Sequence, residues 1–178
     1  MTNEIIIAGF GGQGALLMGE LIAYAGMTEG KQVSWLPSYG PEMRGGTANC
    51  SVIVSDEPVG SPVVTEADTV IVLNKPSLDK FERILKPGGK LLINSSLIDK
   101  KASREDVTAY YIPANEIATE LGNAKVANVV MLGAYIAASG VVAKESVINA
   151  VAHMLGERKA HLVPMNEQAY DAGAKSIQ

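Results

Sequence analysis

The sequence predicts an α/β protein with a mostly parallel sheet flanked by helices and a helical C-terminal third. Three observations carry this expectation. Continuous apolar runs at residues 5–8 and 69–73 have the character of strands buried on both faces. A glycine cluster separates the first run from an amphipathic helical stretch at residues 15–28. Strand-like and helix-like segments alternate up to residue 115, after which helical patterns dominate, an order that favours right-handed crossovers.

Taken in order, Ile5-Ile6-Ile7-Ala8 is the first strand, and residues 15–28 form a helix with Leu17, Leu21 and Tyr24 on one face. Residues 32–36 make a short second strand, and residues 37–46 a loop broken by proline and glycine. Residues 50–55 alternate as a strand, residues 69–73 form another, and a helix follows at 77–85. Lys86-Pro87-Gly88-Gly89 reads as a turn before strands at 90–93 and 108–112. Helices are expected at 115–121, 126–139 and 144–155, with Glu157-Arg158-Lys159 as a solvated turn. Pro164 opens a last short helix anchored by Tyr170. No internal repeat or low-complexity segment interrupts residues 1–178, which are expected to form one domain.

Composition excludes several classes. The chain has 178 residues, is 47% hydrophobic and 19% charged, and is neither disordered nor a coiled coil in character. Its formal charge of −4 lacks the basic footprint of a nucleic-acid binder. Cys50 is the only cysteine, so no intrachain disulfide and no cysteine-based zinc or iron–sulfur site is expected. His153 and His161 are too few, and too poorly flanked by carboxylates, for a metal site. Cys50 in its apolar strand reads as a small buried residue, and His153 as a partly buried structural one. The uncharged stretch 126–143 contains Asn128, Gly133, Ser139 and Gly140 and reads as a buried helix rather than a membrane span. Two explanations stand for it, a core helix or one enclosed by a partner, and the mean hydropathy of +0.15 fits either. Asn128 is expected to cap that helix, with a place at a ligand edge as the alternative. With no targeting signal at Met1, the expected location is the cytoplasm.

Gly9-Phe10-Gly11-Gly12-Gln13-Gly14 satisfies G-x-G-x-x-G between a buried strand and a helix, which makes the expected fold Rossmann-like. Two readings follow: a phosphate-bearing ligand at the helix N-terminus, or a tight turn with no ligand. An NAD site would carry Asp or Glu near the end of the second strand, where this chain has Ser34-Trp35-Leu36-Pro37. Glu29 lies at the wrong end of that strand, and no Lys-Ser/Thr follows the loop as in a P-loop. Leu85-Lys86-Pro87-Gly88-Gly89 with the strand after it resembles S-adenosylmethionine-dependent methyltransferases, but those also want an acidic residue after the second strand, and a plain helix–turn–strand explains the segment better, without any ligand.

The loop Ser38-Tyr39-Gly40-Pro41-Glu42-Met43-Arg44-Gly45-Gly46 follows the second strand, at the carboxyl edge where α/β sheets bind ligands. Arg44 suits a phosphate or carboxylate, and Glu42 suits Arg44 or a partner chain. The combination of GFGGQG, WLPSYGPEMRGGTANCSVIVSDEPVGSPVV and NVVMLGAYIAA resembles the gamma subunit of 2-oxoacid:ferredoxin oxidoreductases over essentially the whole chain.

The resemblance implies an enzyme complex that decarboxylates a 2-oxoacid oxidatively, transfers the acyl group to coenzyme A and passes electrons to ferredoxin. It implies thiamine diphosphate and iron–sulfur clusters on partner alpha and beta subunits, with or without a delta subunit. It implies, for this chain, no catalytic residue, no metal, no nucleic acid, no membrane, and a role in holding coenzyme A and closing the active site. The types for 2-oxoglutarate or branched-chain 2-oxoacids match better than the pyruvate type. The residues expected at the coenzyme A edge are Gly9, Gly11, Gly12, Gln13 and Gly14, then Ser38, Tyr39, Gly40, Glu42, Arg44 and Gly45. The alternatives are a stand-alone nucleotide-binding enzyme of the methyltransferase or dehydrogenase kind, and a scaffold in another complex.

Overall fold

A computed structural model describes residues 1–38 and 47–177. Its strands are β1 (Thr2–Phe10), β2 (Gln32–Ser38), β3 (Thr47–Ser55), β4 (Ala67–Val72), β5 (Leu85–Asn94) and β6 (Thr108–Ile112). Its α-helices are α1 (Ala15–Thr28), α2 (Lys75–Phe81), α3 (Ala114–Glu120), α4 (Ala127–Ser139), α5 (Lys144–Leu155) and α6 (Val163–Lys175).

The strands form one sheet in the order β2-β3-β1-β4-β5-β6. The pairings β1–β4, β4–β5 and β5–β6 are parallel, whereas β3 is antiparallel to both β1 and β2. The sheet is therefore mixed, for a reason of chain length. Only residues 39–46 join β2 to β3, and a parallel crossover needs roughly a dozen or more. Two reversals restore the original direction, so β2 ends at the same sheet edge as β1. Ala8 and Ser38 pair with Asn49 from opposite sides.

β1 is central, and its alternation divides the core. Ile5 and Ile7 point into the larger cluster with α1, α4, α5 and α6, and Ile6 and Ala8 into the smaller one with Leu78 and Phe81 of α2. The apolar helix α4 is enclosed by this chain itself. Every residue from Asn128 to Ile136 is buried. Gly133 lies against the Tyr170 backbone of α6, and Gly173 of α6 against the Val130 backbone. The core explanation for this helix thus holds. No helix of the described residues is long and apolar enough to cross a membrane.

Several local expectations change. The helix expected at 77–85 starts at Lys75 behind an Asn74 cap, whose Oδ1 accepts the Ser77 N–H at 2.9 Å. It ends at Phe81, and residues 82–84 tighten into a 3₁₀ turn. Leu85 already belongs to β5, because Arg104 Nη1 donates to the Glu82 and Leu85 carbonyls and draws the chain into the sheet. The Lys86-Pro87-Gly88-Gly89 segment is an irregularity within that strand. There, Lys86 Nζ lies 2.8 Å from Glu4 and 3.1 Å from Asp68. The last helix, expected to be short, runs for 13 residues. Residues 157–162 form a 3₁₀ segment in which nothing is buried. Cys50 is fully buried, as expected. His153 is exposed, not partly buried, and its ring stacks on Tyr24 with centroids 4.5 Å apart.

Candidate functional site

β1 carries the chain outward to the glycine loop, and the loop is fixed from beneath. Gly9 has no room for a side chain, since a Cβ there would lie 2.9 Å from Leu73 Cβ. Gln13 Oε1 accepts the Phe10 N–H at 2.6 Å, and Gln13 Nε2 donates to the Leu73 carbonyl at 3.2 Å. Gln13 therefore ties the turn after β1 to the end of β4, in addition to bordering the cavity described below. Gly12 and Gly14 take the left-handed backbone conformation, at φ 89° and 84°.

Gly14 caps α1. The first backbone bond inside the helix is from Met18 N–H to the Gly14 carbonyl, at 3.0 Å. The amides of Ala15, Leu16 and Leu17 are thus helix-end donors at the positive pole of the α1 dipole. Gly11, Gly12 and Gly14 border a shallow hollow with Phe10, Leu17 and Ala48. Ser38 ends β2 at this same edge. Tyr39, Gly40, Glu42, Arg44 and Gly45 lie outside the described residues.

A cavity of about 170 Å³ opens between the glycine loop and the start of α4. Gly12 and Gln13 line it after β1, Leu73 after β4 and Asn94 at the end of β5. α1 and β2 lead to one side of β1, and β4 lies on the other, so the cavity marks the point where the strand order reverses. This is where open α/β sheets receive their ligands. Asn115, Lys125 and Asn128 complete the polar wall, and no carboxylate lines the cavity among the described residues. Asn94 Nδ2 donates to Asn115 Oδ1 at 2.8 Å, while Asn94 Oδ1 accepts the Ser96 N–H at 3.2 Å.

Asn94, Asn115 and Lys125 were not legible as site residues, because their positions depend on where β5, α3 and α4 end or begin. Asn128 is not the cap expected of it. Asn123 takes that role, accepting the Lys125 N–H at 3.0 Å, and the chain enters α4 through a 3₁₀ turn. Asn128 faces the cavity instead. Glu29 sits at the opposite end of α1, where its Oε1 accepts the Ala143 N–H at 2.7 Å and the Ser146 hydroxyl at 2.6 Å. It fastens α5 and takes no part in the cavity.

Residues 4–176 match the pyruvate ferredoxin/flavodoxin oxidoreductase family. The chain belongs to that family. It is 41% identical over 172 residues to the ketoisovalerate oxidoreductase subunit VorA of Methanothermobacter thermautotrophicus, covering 97% of this chain and 36% of that protein. The chain thus spans little more than a third of that relative's length. It is 39% identical to the 2-oxoglutarate synthase subunit KorC of Methanocaldococcus jannaschii, covering 85% of this chain and 82% of that one. The gamma subunit of a keto/oxoacid ferredoxin oxidoreductase from Geobacter sulfurreducens has the same fold, with a TM-score of 0.84, 34% identity and 98% of each chain covered. The fold also recurs in the 2-oxoglutarate:ferredoxin oxidoreductase of Magnetococcus marinus, solved with 2-oxoglutarate, coenzyme A and succinyl-CoA. That match has a TM-score of 0.89 and 24% identity, and covers 99% of this chain and 31% of that one. Within this family the resemblance of Leu85–Gly89 to a methyltransferase has no support, and the segment serves as the Lys86 anchor described above.

Proposed function

We propose that the chain is the gamma subunit of a 2-oxoacid:ferredoxin oxidoreductase. The complex would decarboxylate a 2-oxoacid oxidatively, form an acyl-CoA and pass electrons to ferredoxin. The observation that carries this reading is the match of residues 4–176 to a family whose members include relatives named as such subunits. Thiamine diphosphate and the iron–sulfur clusters belong to the partner alpha and beta subunits, with or without a delta subunit, in this reading. The single cysteine here is fully buried and offers no cluster ligand.

The part assigned to this chain is to hold coenzyme A and help close the active site. Coenzyme A carries a diphosphate and a ribose phosphate. The helix-end amides of α1 and the left-handed glycines Gly12 and Gly14 suit the close approach of a phosphate to backbone. The lack of carboxylates among the described lining residues fits an anionic ligand. Gly9 and Gln13 hold the loop in shape, while Gly11, Gly12 and Gly14 form its ligand side. From the sequence alone, Ser38, Tyr39, Gly40, Glu42, Arg44 and Gly45 are further contacts in this proposal, with Arg44 supplying a positive charge. The relatives are named for ketoisovalerate and 2-oxoglutarate, so a 2-oxoacid of one of these kinds is the proposed substrate.

The test is purification of the tagged chain from native anaerobic extract. Co-purification of larger subunits with a broad absorbance near ~400 nm is expected, together with reduction of ferredoxin that requires both a 2-oxoacid and coenzyme A. A colourless chain eluting alone would overturn the reading.

A further inference from the structure

We infer that the apolar pocket between the head of α1 and the end of α5 is a docking site for a partner subunit, and that it takes an apolar side chain flanked by carboxylates. This names a contact within the gamma-subunit reading above and rests on it.

The pocket has a volume of about 400 Å³, more than twice that of the cavity at the glycine loop. Its wall is mainly apolar: Leu17 and Leu21 of α1, Val129 of α4, Met154 and Leu155 of α5, and Leu162. The chain leaves α5 at Gly156, φ 70°, and reaches α6 through residues 157–162, none of which is buried. That segment rims the last turn of α5 without filling the space against α1. Apolar surface also continues beyond the pocket. Leu17 borders the hollow beside Gly11 and Gly14 as well and is 40% exposed, and Phe10, at the same hollow, is 41% exposed. An apolar pocket set in further apolar surface has the form of a protein anchor site, where one side chain fills the pocket and its surroundings exclude water. In the VorA relative the matching region is 36% of the polypeptide, so there the same domain is joined to a longer stretch of protein.

The rim gives the charge of the occupant. Asn123, Asn128 and Asn166 each hold a hydrogen bond within the chain. Lys125 and Lys159 are exposed and have no salt-bridge partner among the described residues. No carboxylate lines the pocket among the described residues. On a chain of formal charge −4 this rim is locally basic, and carboxylates beside the entering side chain complement it. A second copy docking by the same face would set lysines against lysines, so the rim favours a different chain.

The test uses the complex that co-purifies with the tagged chain, compared among wild type, Lys159→Glu, Leu17→Glu and Lys175→Glu. Lys175 is exposed at the far end of α6 from the pocket, so its variant makes the same charge change elsewhere. Lys159→Glu and Leu17→Glu are each expected to lower affinity for the larger subunits by roughly tenfold or more, while Lys175→Glu assembles like the wild type. Added salt is expected to weaken the wild-type association more than that of Lys159→Glu. Zero-length carbodiimide coupling in the wild-type complex is expected to join Lys125 or Lys159 to an Asp or Glu of a larger subunit. Coupling only to a second copy of this chain, or no coupling at all, overturns the docking site and leaves the gamma-subunit reading standing. Assembly of both pocket variants at wild-type affinity does the same, as does an equal loss in Lys175→Glu, which would trace the effect to net charge. A wild-type chain that captures no larger subunit overturns both. Should Leu17→Glu fail to fold, Lys159→Glu at its exposed position decides the matter alone.

Discussion

Asn128 stands in the space that any side chain on Gly14 would need: a Cβ on Gly14 would lie 2.9 Å from Asn128 Cγ. The glycine loop is thus shaped by the start of α4 as well as by its own turn. Gly14→Ala meets both this obstruction and the left-handed backbone at φ 84°. It is expected to destabilise the chain by about 2–4 kcal/mol. Gly12→Ala meets only the backbone strain, because nothing lies within 4 Å of its Cβ, and is expected to cost about 1–2 kcal/mol. Denaturant unfolding of the two variants tests the difference. Adding Asn128→Ala should recover part of the Gly14→Ala loss, because the two side chains contest one space.

The contact between α4 and α6 depends on two glycines facing backbone. A Cβ on Gly133 would lie 2.9 Å from Tyr170 Cα, with the Tyr170 carbonyl nearer still, and backbone cannot yield as a side-chain tip does. Gly133→Ala is expected to destabilise by about 3 kcal/mol or more despite its better helix propensity. A thermal melt that leaves Gly133→Ala as stable as the wild type would contradict this packing.

Glu29 gives stability a measurable pH dependence. Burial pushes its pKa upward, but the Ser146 hydroxyl, the Ala143 N–H and Lys31 together outweigh that and hold it below the ordinary 4.5. A folded-state pKa below the unfolded one means that the unfolded chain binds the proton more readily. The stabilisation is therefore fully present above about pH 5 and is lost as the pH falls through the folded value. Wild type is expected to exceed Glu29→Gln by roughly 1 kcal/mol at neutral pH. The two should converge as the pH falls below the folded-state value, in urea unfolding measured across the acid range.

Cys50 is expected to be inert in the native chain. It is fully buried, and burial pushes its thiol up to about 12, with only partial compensation from Trp35 and the Gly19 backbone. A thiol reagent at pH 8 should label it only after denaturant unfolds the chain. Rapid labelling of the folded protein would place Cys50 at the surface.

The central strands were legible because strands buried on both faces need unbroken apolar runs, and Ile5–Ala8 and Val70–Leu73 have them. The glycine loop was legible because its spacing serves one geometry, and the structure places it between β1 and α1. The direction of β3 was not, since alternation marks a strand without giving its partner. Its reversal follows from the short link between Ser38 and Thr47. Asn128 looked like a cap because polar residues at the head of an apolar helix usually are, and the extra turn led by Asn123 displaced it into the cavity. Glu82 gave no sequence signal at all. It is buried because the Ser103 N–H, the Ser103 hydroxyl and the Arg104 N–H, all distant in sequence, converge on its carboxylate.

The most direct test of the proposed role is the coenzyme A dependence of turnover in the purified complex, wild type against Gly12→Asp. Aspartate tolerates a left-handed backbone, and nothing lies within 4 Å of the Cβ, so the variant should fold and assemble. Its carboxylate would stand where a phosphate is proposed to bind. Half-saturation by coenzyme A is expected to rise roughly tenfold or more, with the 2-oxoacid requirement unchanged. An intact complex with the same coenzyme A dependence as the wild type would contradict a phosphate site at the glycine loop.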